Sequence, residues 1–236
     1  MKSFFTAITI ATAPLWLPLG IPCIFPVVAD GWRLLRFGTF YVEPELTPIN
    51  SLTLEQSVQD WFLEETAALF SFNFRLVTDC IFRSEPIRIV SRYLLSDDQK
   101  TIAILDACHP DTEVEEHTYS LISVNDDGTY FESCNVDEDI YDERPQAEDQ
   151  VVLTMVGRVS FAELLSRHEQ AVEAAGTPLL AWAPDQVLEV SRYGYRKVEA
   201  WKFRIGKIKT GPPAAELPPY IAGAGETLEV ECLQTV

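Results

Sequence analysis

Positive charge is scarce in this chain: its 236 residues hold 18 Lys and Arg against 36 Asp and Glu, a formal charge of −18. Phosphate backbones select basic surfaces, so this balance argues against a general nucleic-acid-binding role. Histidine is rarer still, with three residues, and the five cysteines form no C-x-x-C pair. No G-x-G-x-x-G follows an apolar run, and strand patterns do not alternate with helical ones. A Rossmann-like dinucleotide fold is therefore disfavoured. Repeats at solenoid or propeller periods are also missing.

What remains is ordinary for a folded chain: 47% apolar and 23% charged residues, in a length that suggests one domain with appendages. Cys80, Cys108, Cys134 and Cys232 lie in the body. They would make two disulfides if the chain were an exported binding domain. A body of this size needs no covalent staples, which favours free thiols in a reducing compartment.

The most distinctive stretch is at the amino terminus, where Phe4 to Ala29 run for 26 residues without a charge. A bilayer span needs roughly 20 apolar residues, whereas a signal-peptide core usually has about 7–15. Val27-Val28-Ala29 still offers an acceptable cleavage site before Asp30. Pro14, Pro18, Pro22 and Pro26 recur every fourth position. In a continuous helix each would leave the carbonyl four residues earlier without a donor, all on one face. Hydrocarbon does not tolerate such a face uncovered, so the segment predicts a kinked anchor seated against protein or headgroups. Trp16, Trp32, Arg33 and Arg36 are residue types that sit at a membrane boundary. Lys2 opposes Arg33 and Arg36, so the positive-inside count leans only slightly to a cytoplasmic body.

The expected organisation is an anchor over 1–36, a globular body over 37–210, and a Pro- and Gly-rich connector over 211–236. That connector contains a possible closing strand at 227–233. In the body, a helix is signalled from about Leu54 to Phe70, with Ser51 or Thr53 as its cap. Its apolar stripe is Val58, Trp61, Phe62, Leu69 and Phe70. Alternating or apolar runs at 72–83, 87–95, 101–108, 119–124, 129–136 and 151–156 read as strands. Asn125-Asp126-Asp127-Gly128 is a hairpin turn between two of them. Ser160 and Glu163 form a capping box for a second helix, Phe161, Leu164, Leu165, His168, Val172 and Ala175 mark its buried stripe, and Gly176 closes it. Residues 185–201 read as a third helix interrupted at Gly194, or as two short strands. The fold class is α+β: an antiparallel sheet of about five to seven strands flanked by two or three helices, preceded by a Pro-rich apolar membrane segment.

Candidate chemistry is thin. Asp106, Cys108, His109 and His117, with acids between them, form the one constellation that suggests a metalloenzyme or hydrolase. Its spacing fits no metal signature, and an acidic connector between strands would look the same. Neighbouring strand residues point to opposite faces, so His109 is badly placed to serve Cys108 as a base. His168 reads as a hydrogen-bonded core residue. The acids at 137–143 lack the glycine and twelfth-position carboxylate of a calcium loop. No cofactor is called for.

Charge patterning says more. Between Asp106 and Asp149 there are fifteen acids and one base, Arg144; between Arg192 and Lys209 there are seven bases and one acid, Glu199. Tyr193, Tyr195, Trp201 and Phe203 interleave with Arg192, Arg196, Lys197, Lys202 and Arg204. Three readings compete: pairing with acids of the same chain, a patch for anionic lipid, or a docking surface for an acidic protein. The expected function is a membrane-associated accessory or interaction protein without catalysis, whose partners are the membrane and another protein or membrane complex.

Overall fold

The computed structural model describes residues 41–84, 87–108, 116–136 and 144–220. Outside them lie the anchor call with Pro14, Trp16, Pro18, Pro22, Pro26, Trp32, Arg33 and Arg36, and the closing strand at 227–233. His109 and the acids at 137–143 also lie outside.

The order of elements is β1 (Glu45–Ile49), α1 (Gln56–Phe70), β2 (Phe74–Ser84), β3 (Ile87–Ser96), β4 (Ile102–Cys108), β5 (Glu116–Val124), β6 (Tyr130–Cys134), β7 (Val151–Met155), α2 (Phe161–Ala175) and α3 (Val187–Arg204). The strands form one seven-stranded sheet in sequence order. β1 to β6 pair antiparallel, and β7 alone lies parallel to its neighbour β6. The expected antiparallel sheet of five to seven strands is thus present, with one parallel pair at its end. A parallel pair needs a connection of about a dozen residues or more, and 135–150 supply it.

Strand alternation divides the core into two. On one face, Val90, Leu94, Ala103, Leu105 and Leu121 pack under Val58 and Phe62 of α1 and Phe161 and Leu164 of α2. On the other, Tyr93, Ile102, Ile104, Ile122 and Tyr130 pack under Val187, Val190 and Tyr193 of α3. β4 is apolar on both faces because it is covered on both, as its sequence suggested.

Local signals account for most boundaries. Ser160 Oγ accepts from the Glu163 amide, and Gly176 ends α2 in the left-handed region at φ 67°. Of the stripe expected on α2, Phe161, Leu164 and His168 are buried, while Ala175 is exposed. α1 begins later than expected. Asn50 caps a short 3-10 turn over Ser51–Thr53, and Glu55 precedes the helix without a side-chain cap. Val58, Phe62, Thr66 and Leu69 face the sheet, whereas Phe70 is exposed. β1 escaped the sequence reading because Pro48 interrupts it. An edge strand accepts proline, since one of its ladder sides has no partner. α3 is one unbroken helix, not two strands.

Where α1 meets the sheet, Arg92 of β3 is buried. Its Nε and Nη2 donate to the two carboxylate oxygens of Asp79 on β2, at 2.7 and 2.8 Å. Nη1 donates to the Phe62 carbonyl and to Thr66 Oγ1, both at 3.0 Å. The guanidinium carbon lies 4.6 Å from the Phe62 ring centroid. Removing one partner of such a pair strands the other charge in the core. Asp79→Ala is expected to lower the unfolding free energy by about 3–5 kcal/mol in urea titration. Asp79→Leu combined with Arg92→Met restores most of that loss. A single-variant loss under about 1 kcal/mol would contradict this role.

Candidate functional site

α3 carries the sequence-predicted patch, and its charged side chains turn toward acids of the same chain. Arg192 pairs with Glu189. Arg196 forks onto Glu43, with Nη2 2.7 Å from Oε1. Lys202 meets Glu199 at 2.6 Å. Arg204 binds Asp149 through Nε and Nη2, holding that carboxyl below its usual range. Lys197 donates to Gln150 Oε1 at 2.7 Å and lies over the Tyr193 ring. Trp201 is 1% exposed, so it belongs to the interior rather than to a surface patch.

Arg196 and Arg204 tie the middle and the carboxyl end of α3 to residues outside the helix, and a cavity of about 350 Å³ lies between α3 and the sheet. The floor presents Ser91 of β3, Asp106 of β4, Ser120 of β5, and Tyr130 and Glu132 of β6. The roof presents Ser191, Tyr195, Val198, Glu199 and Lys202, which share one helix face by their spacing. Ser91 Oγ donates to Asp106 Oδ1 at 2.5 Å, and the Tyr130 hydroxyl donates to Glu132 Oε2 at 3.1 Å. Burial raises the Asp106 carboxyl to about 6 against the pull of Ser91, and the nearby Glu132 charge adds to the rise. Burial likewise raises Glu132, opposed by the Tyr130 hydroxyl and by Lys202.

Sequence reading named Asp106 only as part of the constellation with Cys108, His109 and His117, and it passed over Glu132. The structure places Asp106 in the cavity. His117 instead lies flat on Trp61 of α1 on the opposite face of the sheet, with ring centroids 4.0 Å apart and planes 7° apart. Cys80 and Cys134 are free thiols, both pushed by burial up to about 12. A thiol held protonated in this way is no nucleophile at neutral pH. Among the described residues, no three His, Cys, Asp or Glu converge as metal ligands, and no helix is long and apolar enough to cross a membrane.

His168 is the core residue its stripe suggested, 1% exposed, with Nε2 2.9 Å from Ser123 Oγ and Nδ1 3.0 Å from Ser133 Oγ. Burial lowers its pKa to about 4.

The architecture defines an α+β protein with a meandering sheet covered on both faces and a charged cavity under one cover. Compared with family models, with curated proteins and with solved structures, the chain matches none.

Two predictions arise here. A Cβ on Gly194 of α3 would sit 2.0 Å from Tyr130 Cε2, and Tyr130 is buried. Gly194→Ala should therefore destabilise by about 1–3 kcal/mol in urea titration, although alanine is the better helix former by about 1 kcal/mol. His168 binds a proton more weakly folded than unfolded, so its contribution to stability is full above about pH 6.5 and falls as pH drops toward 4. The loss should approach ~3 kcal/mol. Asp106, whose folded pKa is raised, acts with the opposite sign over nearly the same range. The His168 signal is accordingly the difference between wild type and His168→Gln, which should shrink as pH falls from 6.5 to 4. A constant difference would contradict a neutral buried imidazole.

Proposed function

We propose that this chain is a membrane-associated accessory protein without catalysis of its own, tethered by residues 1–36 and engaging a basic protein partner or membrane complex through its acidic body. The observation that carries this reading is the engagement of α3. Arg192, Arg196, Lys202 and Arg204 are matched to Glu189, Glu43, Glu199 and Asp149. Positive charge spent inside the molecule is not offered to anionic lipid, while the chain as a whole keeps a formal −18. The uncharged 26-residue run is then the better source of membrane affinity. Burial of Cys80 and Cys134 as protonated thiols favours binding over covalent chemistry.

Fractionation tests the tether. Full-length protein should sediment with membranes and resist a wash at about 1 M salt, where exposed charges are screened beyond ~3 Å. Deleting residues 1–36 should move the folded body to the supernatant. Full-length protein that stays in the supernatant without detergent would end this proposal. Release by salt alone would transfer the binding to surface charge.

A further inference from the structure

We propose that residues 227–233 of this chain add a strand to the half of β2 that β1 leaves unpaired. The inference concerns how the body closes on itself, and it stands or falls independently of the tether.

A gap in the sheet is the first observation. β2 pairs with β3 from Phe74 to Ser84, but β1 reaches it only from Asp79 to Arg83. Among the described residues, Phe74–Thr78 therefore have no strand on the β1 side. The register shift between Leu76 and Thr78 marks the junction of the two halves. Unpaired edge backbone of this kind is a template for an extended chain.

Beside the gap the two faces of β2 differ. Leu76 stands opposite Leu94 and so points to the α1 face, where it is 45% exposed. On α1, Trp61 leaves the helix toward β5 and stacks on His117. At about 100° per residue, Leu63 and Phe70 leave on the opposite flank, toward the β1–β2 border. They are 71 and 54% exposed. Arg75, by contrast, stands opposite Leu95 and points to the α3 face. Its side chain is 79% exposed and lies 2.6 Å from Asp97. One border thus offers hydrocarbon on one face and a guanidinium on the other.

The sequence of 227–233, TLEVECL, has the matching alternation. In an extended strand Leu228, Val230 and Cys232 share one face, and Thr227, Glu229, Glu231 and Leu233 share the other. Set beside β2, the first face covers Leu63, Phe70 and Leu76 while the acids meet Arg75. A slip of one residue would reverse both, so the pattern admits only one parity of register.

The described residues also end nearby. Ala215 and Leu217 pack against the same core cluster as Val77, and the Pro219 carbonyl accepts from Gln186 Nε2 just before α3. Trp182, shortly upstream, donates its amide to the Gln99 carbonyl in the β3–β4 turn. Phe74 pairs with Ser96 at that same end of the sheet. Residues 221–226 connect Tyr220 to Thr227 and reach about 20 Å, with Gly223 and Gly225 among them. Neighbouring strands lie about 5 Å apart, so the border is within reach.

The test is hydrogen exchange at Phe74–Thr78 in the full-length chain in detergent, compared with the double variant Leu228→Asp, Val230→Asp. In the wild type, the amides that point away from β3 should exchange at least about tenfold more slowly than in the variant. Cys232 should likewise react with a soluble thiol reagent at least about tenfold more slowly. If the double variant loses its cooperative melt, Arg75→Glu takes its place, and it should speed exchange at the same amides by about threefold. Equal exchange in wild type and variant overturns the proposal. So does protection that appears at Val151–Met155 instead, which would move the segment to β7. Protection that fades on dilution also overturns it, assigning the border to a second copy of the chain.

Discussion

A guanidinium removed from water must find a partner for nearly every N–H, and the packing of α1 on the sheet follows from how Arg92 does so. Its fork takes Asp79 on the adjacent strand, and its remaining donor reaches a helix carbonyl and a threonine hydroxyl on α1. Those contacts fix three things together: the pairing of β2 with β3, the distance of α1 from the sheet, and the rotation that brings Val58 and Phe62 onto the core. A charge pair of this kind adds little net stability over a well-packed apolar alternative. What it adds is intolerance of misplacement, because a small slide of α1 would leave a charge without its acceptors.

The opposite face is held differently. α3 is tied to the rest of the molecule by the ion pairs of Arg196 and Arg204 and by the Tyr193 hydroxyl donating to the Gly128 carbonyl. At its middle, Gly194 lets the Tyr130 ring come up beneath the helix. Beside that close approach there is room under the helix, and the carboxyl-lined cavity occupies it.

Much of this architecture was legible in the residues. The apolar run of β4, the Asp126–Gly128 turn and the Ser160–Gly176 punctuation each express a local rule that the tertiary fold did not override. The misreadings have physical causes. Pro48 disguises an edge strand, and the parallel approach of β7 depends on a return path that no periodicity records. Gly194 looks like a break until the Tyr130 ring explains it. Asp106 and Glu132 fall on the same side of the sheet, which no local pattern in the sequence reveals. Only the placement of α3 over that side turns them into cavity residues. Trp201 illustrates the converse: set among bases it looked superficial, yet its position on the helix buries it.

The proline in β1 has one more effect. Among the described residues, β1 is paired on one side only, and an unpaired side is a template for another extended chain. Pro48 removes one amide from β1, and the strand is only five residues long. The residue that hid the strand from sequence reading also shortens the uninterrupted run of amides that strand can offer.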